Sequence, residues 1–217
     1  MKYFVKTPWW IRKIFPHYVW NIETDEKILY LTFDDGPHPQ ITGFVLDQLK
    51  EYNAKATFFC IGKNIVSYPE MFARICKEGH AIGNHTFSHL NGLKSKDDNY
   101  LNDVAEASKY INSALFRPPY GRITSYQANR LGNRMGVPTP IIIMWDILSA
   151  DFDVKITPQK SLNNVLKNSG PGSIIVFHDS EKAYPRLEIS LPATLDFFKE
   201  KGFRFECLSE RNINGKF

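Results

Sequence analysis

Two adjacent carboxylates, Asp34 and Asp35, stand in the run TFDDGP, directly after the apolar stretch ILYL. A buried strand that ends in two like charges is costly unless a cation compensates them or one carboxyl has a working role. Further down the chain, HTFSH places His85 and His89 four residues apart, which on one face of a helical turn is a workable pair of zinc ligands. One Asp of the pair would complete a His-His-Asp set with positions left for water and substrate. Spacing alone does not say which Asp. Arg117, held ahead of two prolines in RPPYG, could neutralise the Asp pair or hold one carboxylate as a base. His178, after the run IIVF, reads equally as a core histidine or as an acid near neutral pH.

These residues need a scaffold that brings distant segments together. The 217 residues are 43% hydrophobic and 23% charged, with net charge +4. That is a globular composition with a mild basic excess and no basic-aromatic cluster of the nucleic-acid-binding kind. From residue 28 onward, apolar runs at 28–33, 56–61, 80–84, 114–117, 140–145, 173–177 and 203–207 read as strands. Helical patterns separate them at 42–52 (capped by Thr42), 69–78, 97–112, 124–135, 158–168 and 187–201. Strict alternation implies a parallel sheet, and without a dinucleotide fingerprint or phosphate loop a closed or nearly closed barrel is favoured. Sites in such sheets collect at the C-terminal strand ends. There the sequence sets Asp34 and Asp35, His85 and His89, Arg117, Asp146, and His178 with Asp179.

The motifs TFDDGP, HTFSH, RPPYG and the late strand ending at His178, with ATFFCIGKN and EGHAIGNH between them, resemble the polysaccharide deacetylases of carbohydrate esterase family four. The resemblance covers about residues 28–208. It implies an α/β fold, a single-domain distorted (β/α)7 barrel, and hydrolysis of the N-acetyl group of an amino sugar in a glycan or saccharide precursor. It implies a divalent metal, most often zinc with nickel or cobalt as alternatives, on Asp35, His85 and His89. It further implies Asp34 as general base, Arg117 as its orienting partner, His178 as general acid and the Tyr120 N–H on the oxyanion. A departure falls in WDILSADFD, where the family often carries Asp and Trp near Leu148 and Phe152. Trp145 or Phe152 then lines the acetyl pocket, and His178 titrates lower unless Asp151 or Asp146 has taken over the pairing. Competing readings are a related amidase for a formamido sugar or cyclic imide, and a weakly active carbohydrate-binding homologue.

Residues 1–27 are set apart from the barrel at 28–217 by their aromatic and basic character. A short helix between Thr7, as cap, and Pro16 reads as a plug with Trp10 and Phe15 buried, in preference to an interfacial membrane helix. With no evident signal peptide or spanning segment, a cytoplasmic or peripheral membrane location is expected. Cys60, Cys76 and Cys207 lie in apolar runs and are expected as buried free thiols. The sequence does not address oligomeric state.

Overall fold

The computed structural model describes residues 3–213. A short helix α1 (Trp9–Ile14) precedes strand β1 (Ile28–Asp34), which is buried at every position, as a parallel strand covered on both faces must be. Then follow α2 (Ile41–Glu51), β2 (Ala56–Cys60), α3 (Gly62–Ser67), α4 (Pro69–Lys77) and β3 (Ala81–Asn84). Next come α5 (Asp97–Ser108), β4 (Leu115–Phe116), α6 (Ser125–Ala128), α7 (Leu131–Met135), β5 (Ile141–Ile142) and β6 (Ile147–Leu148). The chain continues through α8 (Pro158–Leu166), β7 (Ile174–His178), α9 (Tyr184–Glu200), β8 (Arg204–Phe205) and α10 (Glu210–Ile213).

All strand pairings are parallel, in the order β5-β4-β3-β2-β1-β7-β6, with β8 alongside the start of β1. The sheet is curled with helices packed around it, and among the described residues its end strands β5 and β6 do not pair. Phe33 stacks between Phe58 and Phe177, at 5.1 and 6.0 Å, in the main core under α2 and α9. This packing sets the ends of β1, β2 and β7 in register: Asp34 pairs with Phe59 on one side and His178 on the other.

Several local expectations change. Of the three free cysteines only Cys60 is buried; Cys207 is partly covered, and Cys76 is exposed because α4 turns only Ile75 fully into the core. The segment 124–135 is two short helices, the first fixed by a Thr124–Gln127 capping box. Strand β6 was not expected, because two residues inside WDILSAD are too short to show a period. Thr42 does not cap α2; its hydroxyl donates to Asp179. Thr7 likewise gives its hydroxyl to the Trp145 carbonyl while Pro8 occupies the cap of α1.

The N-terminal segment is tied along the β5–β6 gap by its backbone. Val5 accepts from Leu148, Thr7 donates to Asp146, and Val19 donates to Ile142 and accepts from Met144. Trp20 is buried in a second cluster with Tyr100, Phe116 and Met144. The expectation that Trp10 and Phe15 are buried fails: both are exposed, and no residue of α1 is buried. The physical reason is that backbone bonds on either side of the helix and the partly buried Ile11, which packs on the Trp20 cluster, make the attachment, leaving the tryptophans and Phe15 outside it.

Candidate active site

Asp35, His85 and His89 converge, with one donor atom of each within 4.8 Å of the others. The backbone that achieves this is unusual. His85 to His89 is not a helical turn, contrary to the sequence expectation, but a loop in which Thr86 and His89 have φ of 64° and 60°. Asp103 on α5 holds it by accepting from the N–H groups of Phe87 and Ser88 and from the Ser88 hydroxyl, and Asn84 accepts from Thr86. Among the described residues, six non-glycine residues have positive φ, and five of them, Asp35, Thr86, His89, Tyr120 and Ala150, lie at this end of the sheet. Such conformations cost about 1–3 kcal/mol each and persist where the surroundings over-determine them.

The first ligand candidate sits in a tight turn. Gly36 donates to Asp179 Oδ1 at 3.0 Å, and a Cβ on Gly36 would lie 2.0 Å from Asp179 Oδ2, so only glycine fits. Asn64 donates to the Asp35 carbonyl at 2.7 Å. Asp179 is itself buried, which raises its carboxyl to about 7 against the lowering effect of the Thr42 hydrogen bond.

The tautomer of His85 follows from its partner. The Arg117 carbonyl, 2.7 Å from Nδ1, can only accept, so Nδ1 carries the proton. Burial, outweighing the pull of Asp34, lowers this imidazole to about 4, so near neutral pH its Nε2 presents a bare lone pair. That lone pair faces Asp35 Oδ1 at 3.8 Å, and His89 Nε2 lies 3.2 Å from the same oxygen. Burial works against the charge of Asp35, but the imidazoles around it, His89 first, hold the carboxyl well below the usual carboxylate range. Asp35 Oδ1 is nonetheless buried without a hydrogen-bond partner. Two imidazoles and an orphaned carboxylate oxygen aimed at one point fit a divalent cation with a taste for N and O ligands.

Beside this trio, Arg117 is fully buried and committed to four acceptors: Asp34 Oδ1 and Thr32 Oγ1 at 2.7 Å, Met144 O at 2.9 Å and Ile143 O at 3.3 Å. Its guanidinium lies over the rings of Phe59, at 4.1 Å, and Trp145, at 5.9 Å. Asp34 is therefore a buried carboxylate with one oxygen fixed in place.

On the other flank, His178 Nδ1 lies 2.7 Å from Asp151 Oδ1, and the His178 N–H donates to Oδ2 at 2.8 Å. Burial lowers the affinity of the ring for a proton, but Asp151, with Asp35 and Asp34 behind it, more than reverses this and raises His178 to about 9. Of the two alternatives to the absent carboxylate at Leu148, the structure selects Asp151. Leu148 lies buried in β6, pairing with Val176. Asp146 is not part of this site. It pairs with Arg12 at 3.7 Å, accepts from Ser173, and takes its place in the sheet beside Ile174, four residues short of His178. Phe152 stands edge-on to His178 at 5.1 Å, Trp145 packs on Gly121, and Tyr120 lies 4.6 Å from His89 and is largely exposed.

Sequence reasoning missed the role of Asp103, and it carried Asp179 only as a neighbour of His178. An acid on a helix, as at Asp103, or after a strand, as at Asp179, is common, and neither signals its partner, which is distant in sequence.

The sequence matches the polysaccharide deacetylase family over residues 21–139. A peptidoglycan-N-acetylglucosamine deacetylase of Bacillus cereus is 35% identical over 197 residues, covering 88% of this chain and 91% of that protein. A chitooligosaccharide deacetylase of Azorhizobium caulinodans is 34% identical, covering 73% and 77%. The solved structure of a peptidoglycan N-acetylglucosamine deacetylase bound to 4-naphthalen-1-yl-N-oxidanyl-benzamide superposes with TM-score 0.83 at 32% identity, covering 95% of this chain and 96% of that one. The chain belongs to the polysaccharide deacetylase family, and by that membership it is a hydrolase of non-peptide carbon–nitrogen bonds.

Proposed function

We propose that the chain removes the N-acetyl group of an amino sugar in a glycan, with a divalent cation, zinc in the first instance, on Asp35, His85 and His89. The observation that carries this is the buried, unpartnered Asp35 oxygen facing the bare His85 nitrogen. The chemistry supplied by such a cation is Lewis-acid polarisation of the amide carbonyl and the attacking water. N-acetylglucosamine units of peptidoglycan are the favoured substrate, because the relatives of that name match the larger share of the chain.

In this reading Asp34, held by Arg117, accepts a proton from water as it adds to the carbonyl carbon. The Tyr120 N–H meets the developing oxyanion. His178, kept protonated by Asp151, delivers a proton to the amide nitrogen as the C–N bond breaks. Water has then been divided between the products, acetate and a free amine. Phe152 and Trp145 wall the acyl group. The test is Asp34→Asn, which should fold and retain the cation while losing about 10²–10⁴-fold in turnover. Near-normal turnover would assign the proton to another group.

A further inference from the structure

The N-terminal segment carries a surface that the proposed chemistry does not use. Phe4, Trp9, Trp10, Ile14 and Phe15 are 56, 68, 47, 59 and 44% exposed, all between positions 4 and 15. Scattered exposed apolar residues are ordinary; a concentration of this kind marks an interaction surface. The patch is held in shape. Phe4 and Trp10 meet edge to face at 6.4 Å, the Phe15 carbonyl accepts from the Trp20 indole, and Thr7 is bonded to residues 145 and 146 at both backbone and side chain.

The charged residues of the patch itself are all basic, with Arg12 paired to Asp146 and Asp153 accepting from Tyr3 at the border. Residues 1–22 contain Lys2, Lys6, Arg12 and Lys13 and no Asp or Glu. Lys6 and Lys13 are exposed; the Lys6 ammonium donates to the Asn168 carbonyl at 3.1 Å, and the Lys13 ammonium lies 4.9 Å over the Trp9 ring. Exposed tryptophans and phenylalanines flanked by lysines match the interfacial layer of a bilayer, where indoles sit at headgroup level and cations meet lipid phosphates. A sugar-binding platform would add amide or carboxylate side chains for hydroxyl groups, and residues 3–18 contain none. The helix is far too short to span, and no helix among the described residues is long and apolar enough to cross a membrane. We propose that this face docks peripherally on an anionic lipid bilayer. The docking face begins at the rim of the catalytic end of the sheet, since the Tyr3 ring lies 5.6 Å from Phe152, the neighbour of His178.

The test is co-sedimentation of the full chain with phosphatidylcholine vesicles, with and without about one third phosphatidylglycerol. The parent should bind the anionic vesicles, with a blue shift of tryptophan emission, and bind about tenfold or more weakly to neutral vesicles or at high salt. The triple variant Trp9→Ser, Trp10→Ser, Phe15→Ser should lose both binding and blue shift. Lys6→Glu with Lys13→Glu, which leaves the aromatics in place, should lose the preference for anionic lipid. The proposal is overturned if the parent fails to bind, or if both variants bind as the parent does. It is also overturned if the triple variant instead abolishes a concentration-dependent dimer or retention on insoluble peptidoglycan, which would assign the face to a second copy or to glycan.

Discussion

Replacing Asp151 with Asn removes the charge that sets His178 while keeping the shape of the side chain. In the parent, His178 rises from 6.5 to about 9, roughly 3 kcal/mol in favour of the imidazolium. Asp151 leads the groups that raise it; Asp35 and Asp34 contribute less, and burial opposes all three. The pull of Asp35 shrinks further once its charge is shared with a cation. Without Asp151, the histidine should titrate at or below 6.5. The acid works only when protonated, so the alkaline limb of kcat/KM should move to lower pH, from no higher than about 9 in the metal-loaded parent toward that range. For a shift from about 9 to 6.5, the protonated fraction at pH 8 would fall from about nine tenths to about three hundredths, roughly thirtyfold, and at pH 6 only to about three quarters; a ring that burial takes below 6.5 would lose more at both. The assay is acetate release across pH for the parent, Asp151→Asn and Leu148→Asp. Leu148 has its backbone in β6, bonded to Val5, and Asp151 already occupies the His178 ring nitrogen, so Leu148→Asp should cost stability and leave the limb where it is. A limb unmoved by Asp151→Asn, or moved by Leu148→Asp alone, would refute the assignment of Asp151.

Two further outcomes are expected. His85→Ala with His89→Ala should leave the fold cooperative, because neither ring belongs to the main hydrophobic core, and should abolish stoichiometric zinc in elemental analysis; full occupancy would place the cation elsewhere. Arg117→Met should cost about 3–5 kcal/mol in urea denaturation, since it leaves the Asp34 carboxylate buried and uncompensated; a change under about 1 kcal/mol would show that Asp34 gains its compensation from another group.

The alternation of strands and helices was legible where the elements are long enough to show their period. β1 and β2 are continuous apolar runs, and α2 buries Val45, Leu46 and Leu49 at helical spacing. The site was legible where a chemical group sits at a strand end within a motif, as with Asp34, Asp35, His85, His89, Arg117 and His178. What stayed open or hidden depends on contacts across the fold. The sequence offered both Asp151 and Asp146 as partners of His178, and only the fold shows that Asp151 reaches it from 27 positions away; Asp103, which was missed, shapes the histidine loop from an adjacent helix. The positive φ of Thr86 and His89, which replaces the expected helical turn, follows from those hydrogen bonds and has no glycine to announce it. Asp146 was misplaced for the opposite reason. Position after an apolar run suggested the catalytic face, but the unrecognised strand β6 starts there, so the residue stands at the beginning of a strand, with Arg12 and Ser173. The aromatic residues of α1 misled because amphipathic spacing gives a face without saying whether protein or another phase covers it.

The central claim is that this chain is a metal-dependent N-deacetylase of amino sugars. Its most direct test is product stoichiometry on N-acetylglucosamine oligomers and peptidoglycan fragments, with protein stripped by chelator and then reloaded with zinc, cobalt or nickel. The account predicts that acetate and free amine appear in equal amounts, only after reloading, and fall about 10²–10⁴-fold in Asp34→Asn. Fully reloaded protein that releases neither product from any of these substrates, or that releases both while stripped of metal, would contradict it.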